Sequence, residues 1–542
     1  MTHWLAHLIV LPVLVPLLAG ALLLLLDERQ HALKAGVSVA STLAVLVVAI
    51  ILLVVSDRMS TASSVVTVYR LGGWPAPFGI VLVLDRLSAV MLVLTSVLAL
   101  ASLVSSLARW ARAGPHFHSL FQFLIMGLSG AFLTGDLFNL FVFFEILLAA
   151  SYGLVLHGSG RARVRNGLHY IAVNLAASAL FLIGVSLIYG ITGTLNMGDI
   201  PVRIPAIADD DRVLFEAGAA ILGVAFLVKA GMWPLSFWLP GTYSAAAPPA
   251  AAFFAIMTKV GFYVLLRLCL LMFGPDADSL AHFGATVLLA GGMMTIVFGS
   301  VGALASQDLP RLASYSLLIS SGTLLALIGI GGNPAVTSGA LFYMVSSTLT
   351  ICALFMLIEL TERGRSAGAD ILAVTMEAYG EAPEEEERED VGVTIPATMA
   401  ILGISFAACA VLIAGLPPLS GFIAKLLLLR ALLAQIAGGG WPDVSSWLLI
   451  AFLLLSGFAV VVATVRAGIR LFWLPLESTV PRVRPTEIAP VIGLIFLCAV
   501  LTVQAGPAMR FFEGTAADLH TPSNYTRAVL PSLTPRSAGG GS

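Results

Sequence analysis

Runs of about 20 apolar residues, separated by short polar loops, recur along the whole chain. One helix crossing a bilayer takes roughly 20 predominantly apolar residues. About fourteen windows meet that need: 5–26, 34–55, 84–107, 117–134, 137–156, 167–190, 213–239, 246–273, 281–303, 311–330, 336–360, 394–433, 446–472 and 488–506. The pattern predicts an all-α polytopic membrane protein. Its seventh and twelfth windows are unusual, because each carries proline inside a long apolar segment. Residues 230–236 read AGMWPLS and residues 414–420 read AGLPPLS, matching at five of seven positions. Copies in spans seven and twelve run in opposite directions across the membrane. That predicts an inverted repeat with broken helices 7 and 12, the arrangement in which transporters place their ion pathways.

Composition agrees with the pattern. Of 542 residues, 59% are hydrophobic and 11% charged, against about a quarter charged in soluble domains. The net charge of −2 and the lack of a basic arm leave no nucleic-acid partner to expect. Cys269, Cys352, Cys409 and Cys498 all fall in apolar spans without paired spacing, which reads as packing rather than disulfide or metal chemistry. The N-terminal MTHWLAHLIVLPVLVP lacks a basic n-region and reads as a retained first span. Cations concentrate in loops after odd-numbered spans, among them Arg29, Arg109, Arg112, Arg161, Arg163, Arg165, Arg311, Arg363 and Arg365. The positive-inside rule then puts those loops in the cytoplasm and both termini outside. The acidic run EAPEEEERED, 381–390, reads as a solvated cytoplasmic loop.

The candidate chemistry lies in charges set within apolar spans. The chain has four lysines, Lys34, Lys229, Lys259 and Lys425. Lys34 stands at a span entrance and can snorkel. The other three lie deeper, where each costs on the order of 3 kcal/mol at a helix centre. Glu145, in the fifth span, is their acidic counterpart at depth. A carboxylate and an ammonium in a low dielectric favour each other's charged forms while burial favours neutrality, so moving one proton changes which state is stable. The bland readings stay open. Glu145 could be a static ion-pair partner, Lys229 could cap carbonyls freed by the break, Lys259 could bind backbone near Pro248–Pro249, and Lys425 could snorkel. Asp136 reads as interfacial and His169 as near the cytoplasmic end of span six. Ser316, Ser320, Ser321, Ser346, Ser347, Thr348 and Thr350 line spans ten and eleven, where small residues pack helices closely and can hold a water chain.

GDLFNLFVFFEILLAASYG, LVKAGMWPLSFWLPGTYSAAAP, AIMTKVGFYVLLR and AGLPPLSGFIAK resemble the D subunit of Mrp-type (Pha, Mnh) multisubunit cation/proton antiporters. The wider family includes antiporter-like subunits of respiratory complex I and membrane-bound hydrogenases. The resemblance covers roughly spans three to thirteen. It implies fourteen helices with two inverted five-helix repeats, spans four to eight and nine to thirteen. The corresponding domains are 1–113, 114–275, 276–475 (with the acidic loop 362–392) and 476–542. It also implies a bacterial inner-membrane subunit that moves protons against Na⁺ or K⁺, with other subunits of the complex and the lipid bilayer as partners, no cofactor and no enzymatic step. Carried over, Glu145 and Lys229 are the paired glutamate and lysine, Lys259 the central relay lysine and Lys425 the lysine at its far end. Asp136, His169, Ser320, Ser346 and Thr350 are further pathway candidates. Relatives often carry lysine at Pro310 and histidine at Ser320 and Ser346, so serines and water have to bridge Lys259 to Lys425 here. Two other readings remain open on the residues: a proton-pumping subunit of a redox complex, and a scaffold whose buried charges only hold helices together.

Overall fold

A computed structural model describes residues 7–60, 66–274, 280–331, 333–363, 397–437, 443–472 and 483–530. The acidic run 381–390 and the tail beyond residue 530 lie outside the described residues. Helix α1 (Leu11–Leu25) and helix α2 (His31–Ser60) lead into a hairpin of β1 (Thr67–Arg70) and β2 (Val81–Leu84). The hairpin is antiparallel, with Thr67 opposite Leu84, and β2 is buried along its whole length. Then come α3 (Arg86–Ser106), α4 (Phe117–Leu133), α5 (Leu137–Leu156), α6 (Arg161–Thr192), α7 (Asp209–Ala230), α8 (Trp238–Ala245), α9 (Pro248–Phe254) and α10 (Met257–Met272). The remainder is α11 (Ala285–Ala305), α12 (Leu309–Gly329), α13 (Pro334–Glu362), α14 (Ala397–Ala414), α15 (Ser420–Ala437), α16 (Asp443–Phe472), α17 (Pro485–Val503), α18 (Ala505–Leu519) and α19 (Pro522–Val529).

Thirteen of these segments, α9 and α10 counting as one, are long and apolar enough to cross a membrane. Helices α1 and α4 are shorter apolar helices, and α14 and α15 count separately, so the fourteen expected windows are all recovered. The protein is an all-helical multi-pass membrane protein with, among the described residues, one small hairpin. Its centre is α9–α10, α12 and α13, each with 89% of its apolar window buried, whereas α2 and α11 have 33%. Polar side chains on the central helices therefore face protein, and the outer helices turn an apolar face outward.

Both predicted breaks are present and are built alike. Helix α7 ends at Ala230, and Gly231 takes φ +74°; helix α14 ends at Ala414, and Gly415 takes φ +76°. Glycine tolerates this left-handed geometry, which strains other residues. Met232 N–H donates to the Leu227 carbonyl at 3.0 Å, and Leu416 N–H donates to the Val411 carbonyl at 3.0 Å. This is the same helix-ending bond at equivalent positions of the two copies. The prolines that follow cannot supply an N–H to continue the helix. Trp233 N–H instead donates to Thr295 Oγ1 on α11 at 2.8 Å.

Two buried charge clusters tie the bundle at the two ends of α13. At one end, Arg267 of α10 meets Asp85 at 2.8 Å, with both side chains under 10% exposed. Asp85 also caps α3 through Ser88 N–H, and Tyr525 of α19 faces the same guanidinium. At the other end, Arg363 bridges Glu359 at 2.5 Å and Glu487 of α17 at 2.7 Å. Removing one partner of a buried pair leaves an uncompensated charge and costs about 3–5 kcal/mol. Arg267→Leu is therefore expected to lower the melting temperature in detergent strongly. Adding Asp85→Asn, which keeps the helix cap, is expected to recover part of that loss.

Candidate functional site

The three deep lysines are held in three different ways. Lys229, in the last turn of α7, is 2% exposed, and its Nζ has no hydrogen-bond partner among the described residues. It lies 5.4 Å from the ring centre of Phe144 on α5 and 5.7 Å from that of Tyr170 on α6. Glu145 is half-buried, and its carboxylate accepts the hydroxyl of Ser178 on α6. Glu145 and Lys229 thus face each other electrostatically without a contact ion pair. Close packing of α6 on α7 sets the helix of Tyr170 and Ser178 against the helix of Lys229: a Cβ on Gly184 would sit 2.7 Å from the backbone nitrogen of Leu222.

Lys259, fully buried on α10, donates to Ser320 Oγ on α12 at 3.0 Å. Ser320 Oγ is 3.0 Å from Ser347 Oγ on α13. These hydroxyls open onto a narrow cavity whose lining includes Tyr343, Ser346, Ser347, Lys425 and Ser456. It offers water centres about 20 Å³, enough for one or two waters by the ~10–15 Å³ that one needs. Ser346 Oγ is 2.8 Å from Ser420 Oγ, at the start of α15. On the far side, Lys425 Nζ donates to the Ala414 carbonyl at 2.7 Å. That carbonyl is the end of the broken α14, where the helix dipole is negative and receives a cation well. Gly457 on α16 leaves room for the contact: a Cβ there would lie 2.8 Å from Nζ and 3.0 Å from the Ala414 oxygen.

Residues 134–458, more than half of the chain, match the family described as NADH:quinone oxidoreductase/Mrp antiporter, TM. The chain belongs to this family. It is 59% identical to the D subunit of a probable K⁺/H⁺ antiporter from Rhizobium meliloti (strain 1021), over 98% of each chain. It is 32% identical to the D subunit of the Na⁺/H⁺ antiporter from Alkalihalophilus pseudofirmus, over 97% of this chain and 99% of that one. Among solved structures, a chain of the Mrp complex from Dietzia sp. DQ12-45-1b superposes with a TM-score of 0.79 at 25% identity, covering 98% of this chain and 100% of that one.

The residues expected on the pathway are not all equally central. Asp136 caps α5, accepting the N–H groups of Phe138 and Asn139 at 2.9 Å each. His169 is exposed and turned away from Lys229, while its neighbour Tyr170 is buried against it. Ser320 and Ser346 reach the cavity, but Thr350 bonds back to the Ser346 carbonyl and touches Cys498 of α17. Lys34, expected to snorkel, is 3% exposed and pairs with Glu28 at 2.8 Å. Sequence reasoning missed Ser178, Tyr170, Ser420, Ser456 and Gly457, and placed Ser347 among residues that pack helices or hold a water chain without naming it a pathway candidate. A helical-wheel separation of His169 from Tyr170, adjacent and therefore about 100° apart, was the one signal available for Tyr170.

Gly457→Ala forces the Lys425 ammonium off the Ala414 carbonyl. A hydrogen bond to a charged group contributes about 1.5–3 kcal/mol, so a clear drop in thermal stability in detergent is expected. Combined with Lys425→Met, the same substitution is expected to cost less than the sum of the two single changes.

Proposed function

We propose that this chain is the D subunit of a multisubunit monovalent cation/proton antiporter and that its buried lysines relay protons along the membrane midplane. It acts as a transporter subunit in the cell membrane, with the other subunits of such a complex as partners and both termini outside. Residues 114–275 and 276–475 form its two inverted five-helix repeats, preceded by 1–113 and followed by 476–542. The observation that carries the reading is the polar line from Lys259 through Ser320 and Ser347, across a water-sized cavity, to Lys425 at the second helix break. A static scaffold needs a counter-ion in contact with each buried cation, and among the described residues these lysines contact hydroxyls, a carbonyl and aromatic faces instead.

The mechanism is electrostatic. A proton arriving near Glu145 is taken by Lys229, and the new ammonium makes a charge on Lys259 less favourable. Lys259 donates toward Ser320, whose hydroxyl passes a proton to Ser347 as it receives one. Water in the cavity completes the transfer to Lys425. Each occupied site biases the next, which is coupling in the thermodynamic sense. K⁺ is the favoured counter-cation, because the 59% identical relative is named for K⁺/H⁺ exchange.

Cation-driven proton movement in everted vesicles carrying the whole complex tests this. Lys229→Ala and Lys425→Ala are each expected to lower exchange about a hundredfold or more, the order of a positioned proton-transfer group, with assembly intact on native gels. Ser320→Ala is expected to slow it, Ser320→His to keep it, and His169→Ala to leave it within about twofold. Full exchange in an assembled Lys229→Ala or Lys425→Ala complex would overturn the relay.

A further inference from the structure

Lys229 differs from its two counterparts in having no oxygen to donate to among the described residues. Lys259 has Ser320 and Lys425 has the Ala414 carbonyl. An ammonium buried without compensation is costly, so something else stabilises it. What surrounds Nζ is the face of Phe144 at 5.4 Å and the face of Tyr170 at 5.7 Å. Both lie inside the ~6 Å range over which a ring's quadrupole attracts a cation. Neither ring is free to drift. Phe144 is fully buried, packed edge-on against Phe226 and tilted against Phe181. The Tyr170 hydroxyl is held by Ser151 at 2.7 Å, and its ring rests 5.2 Å from Trp238, the first residue of α8 beyond the break. The carboxylate acting on this lysine is that of Glu145, and it is engaged by Ser178.

The chemistry of such a pocket is selective in one respect. A serine or carbonyl acceptor accepts an N–H from either an ammonium or an amine. The attraction of a ring face acts on the charge and vanishes when the proton leaves. We propose that Phe144 and Tyr170 form an aromatic clamp on Lys229, positioning its ammonium apart from Glu145 and stabilising the protonated form alone. Both are positioning residues for proton transfer at this lysine. This rests on the reading of Lys229 as a proton carrier.

The test replaces Phe144, in the whole complex, with phenylalanines bearing one, two and three ring fluorines, which withdraw π density at nearly constant shape. Exchange in everted vesicles is expected to fall stepwise, about tenfold from the unmodified ring to the trifluorinated one. The same series at Phe181, which touches Phe144 but not the lysine, is expected to leave exchange within about twofold. In parallel, Tyr170→Phe keeps the face and is expected to retain exchange, while Tyr170→Leu loses it about tenfold. The fluorinated series stands alone if Tyr170→Leu fails to assemble. A flat response across the Phe144 series, in complexes where Lys229→Ala still abolishes exchange, would overturn the clamp and leave the relay intact. Retained exchange in Lys229→Ala would overturn both.

Discussion

The cost of keeping an ammonium in a low-dielectric interior is the constraint on which the rest of this structure depends. An ammonium on any of the deep lysines forfeits its hydration, and the fold meets that expense with three separate devices. Aromatic faces surround Lys229, a hydroxyl receives Lys259, and the open end of a broken helix receives Lys425. The two helix breaks follow from the same constraint. Ending α7 and α14 inside the bundle leaves backbone groups that only a polar or protein-lined interior tolerates. At the second break one of those groups, the Ala414 carbonyl, is the acceptor that stabilises a lysine.

On the proposed relay, this arrangement lets the polar line conduct rather than merely hold the helices together. A contact ion pair would fix Lys229 and Glu145 in one protonation state. Instead Glu145 is held by Ser178, and Lys229 by rings, so the two influence each other across a gap. Toward Lys425 the polar line is made of the serines Ser320, Ser346 and Ser347. A histidine can store a proton near neutral pH, whereas a hydroxyl only passes one along. The segment from Ser320 to Lys425 therefore depends on the one or two waters that the cavity accommodates.

Much of this was legible in the sequence, and the reason differs by residue. Apolar periodicity marks spans well, because burying roughly 20 residues in lipid leaves little choice of composition. The breaks at Gly231 and Gly415 were visible through the repeated AG-x-x-PLS pattern, since glycine and proline have few other uses there. Lys229, Lys259 and Lys425 stood out as charges in apolar runs. Glu145 and Ser320 stood out with them, but the rest of their surroundings did not. Ser178, Ser347 and Gly457 are small residues whose role comes from a helix that approaches from elsewhere in the chain, and helices in membranes use many such residues for packing alone. Likewise a carbonyl such as that of Ala414 has no sequence signature, and the buried ring of Tyr170 was overshadowed by the more conspicuous His169 beside it.

The central claim is that protons travel between Lys259 and Lys425 through a hydrated serine cavity. Ser456 lines that cavity and, among the described residues, its hydroxyl donates to the Leu453 carbonyl of its own helix, so a larger side chain there fills the space the water needs while every relay residue stays in the chain. The most direct measurement is cation-driven proton movement in everted vesicles carrying the complex with Ser456→Leu, its assembly checked on native gels. Exchange reduced about a hundredfold in an assembled complex is the result this account predicts; exchange at the unmodified rate would contradict it.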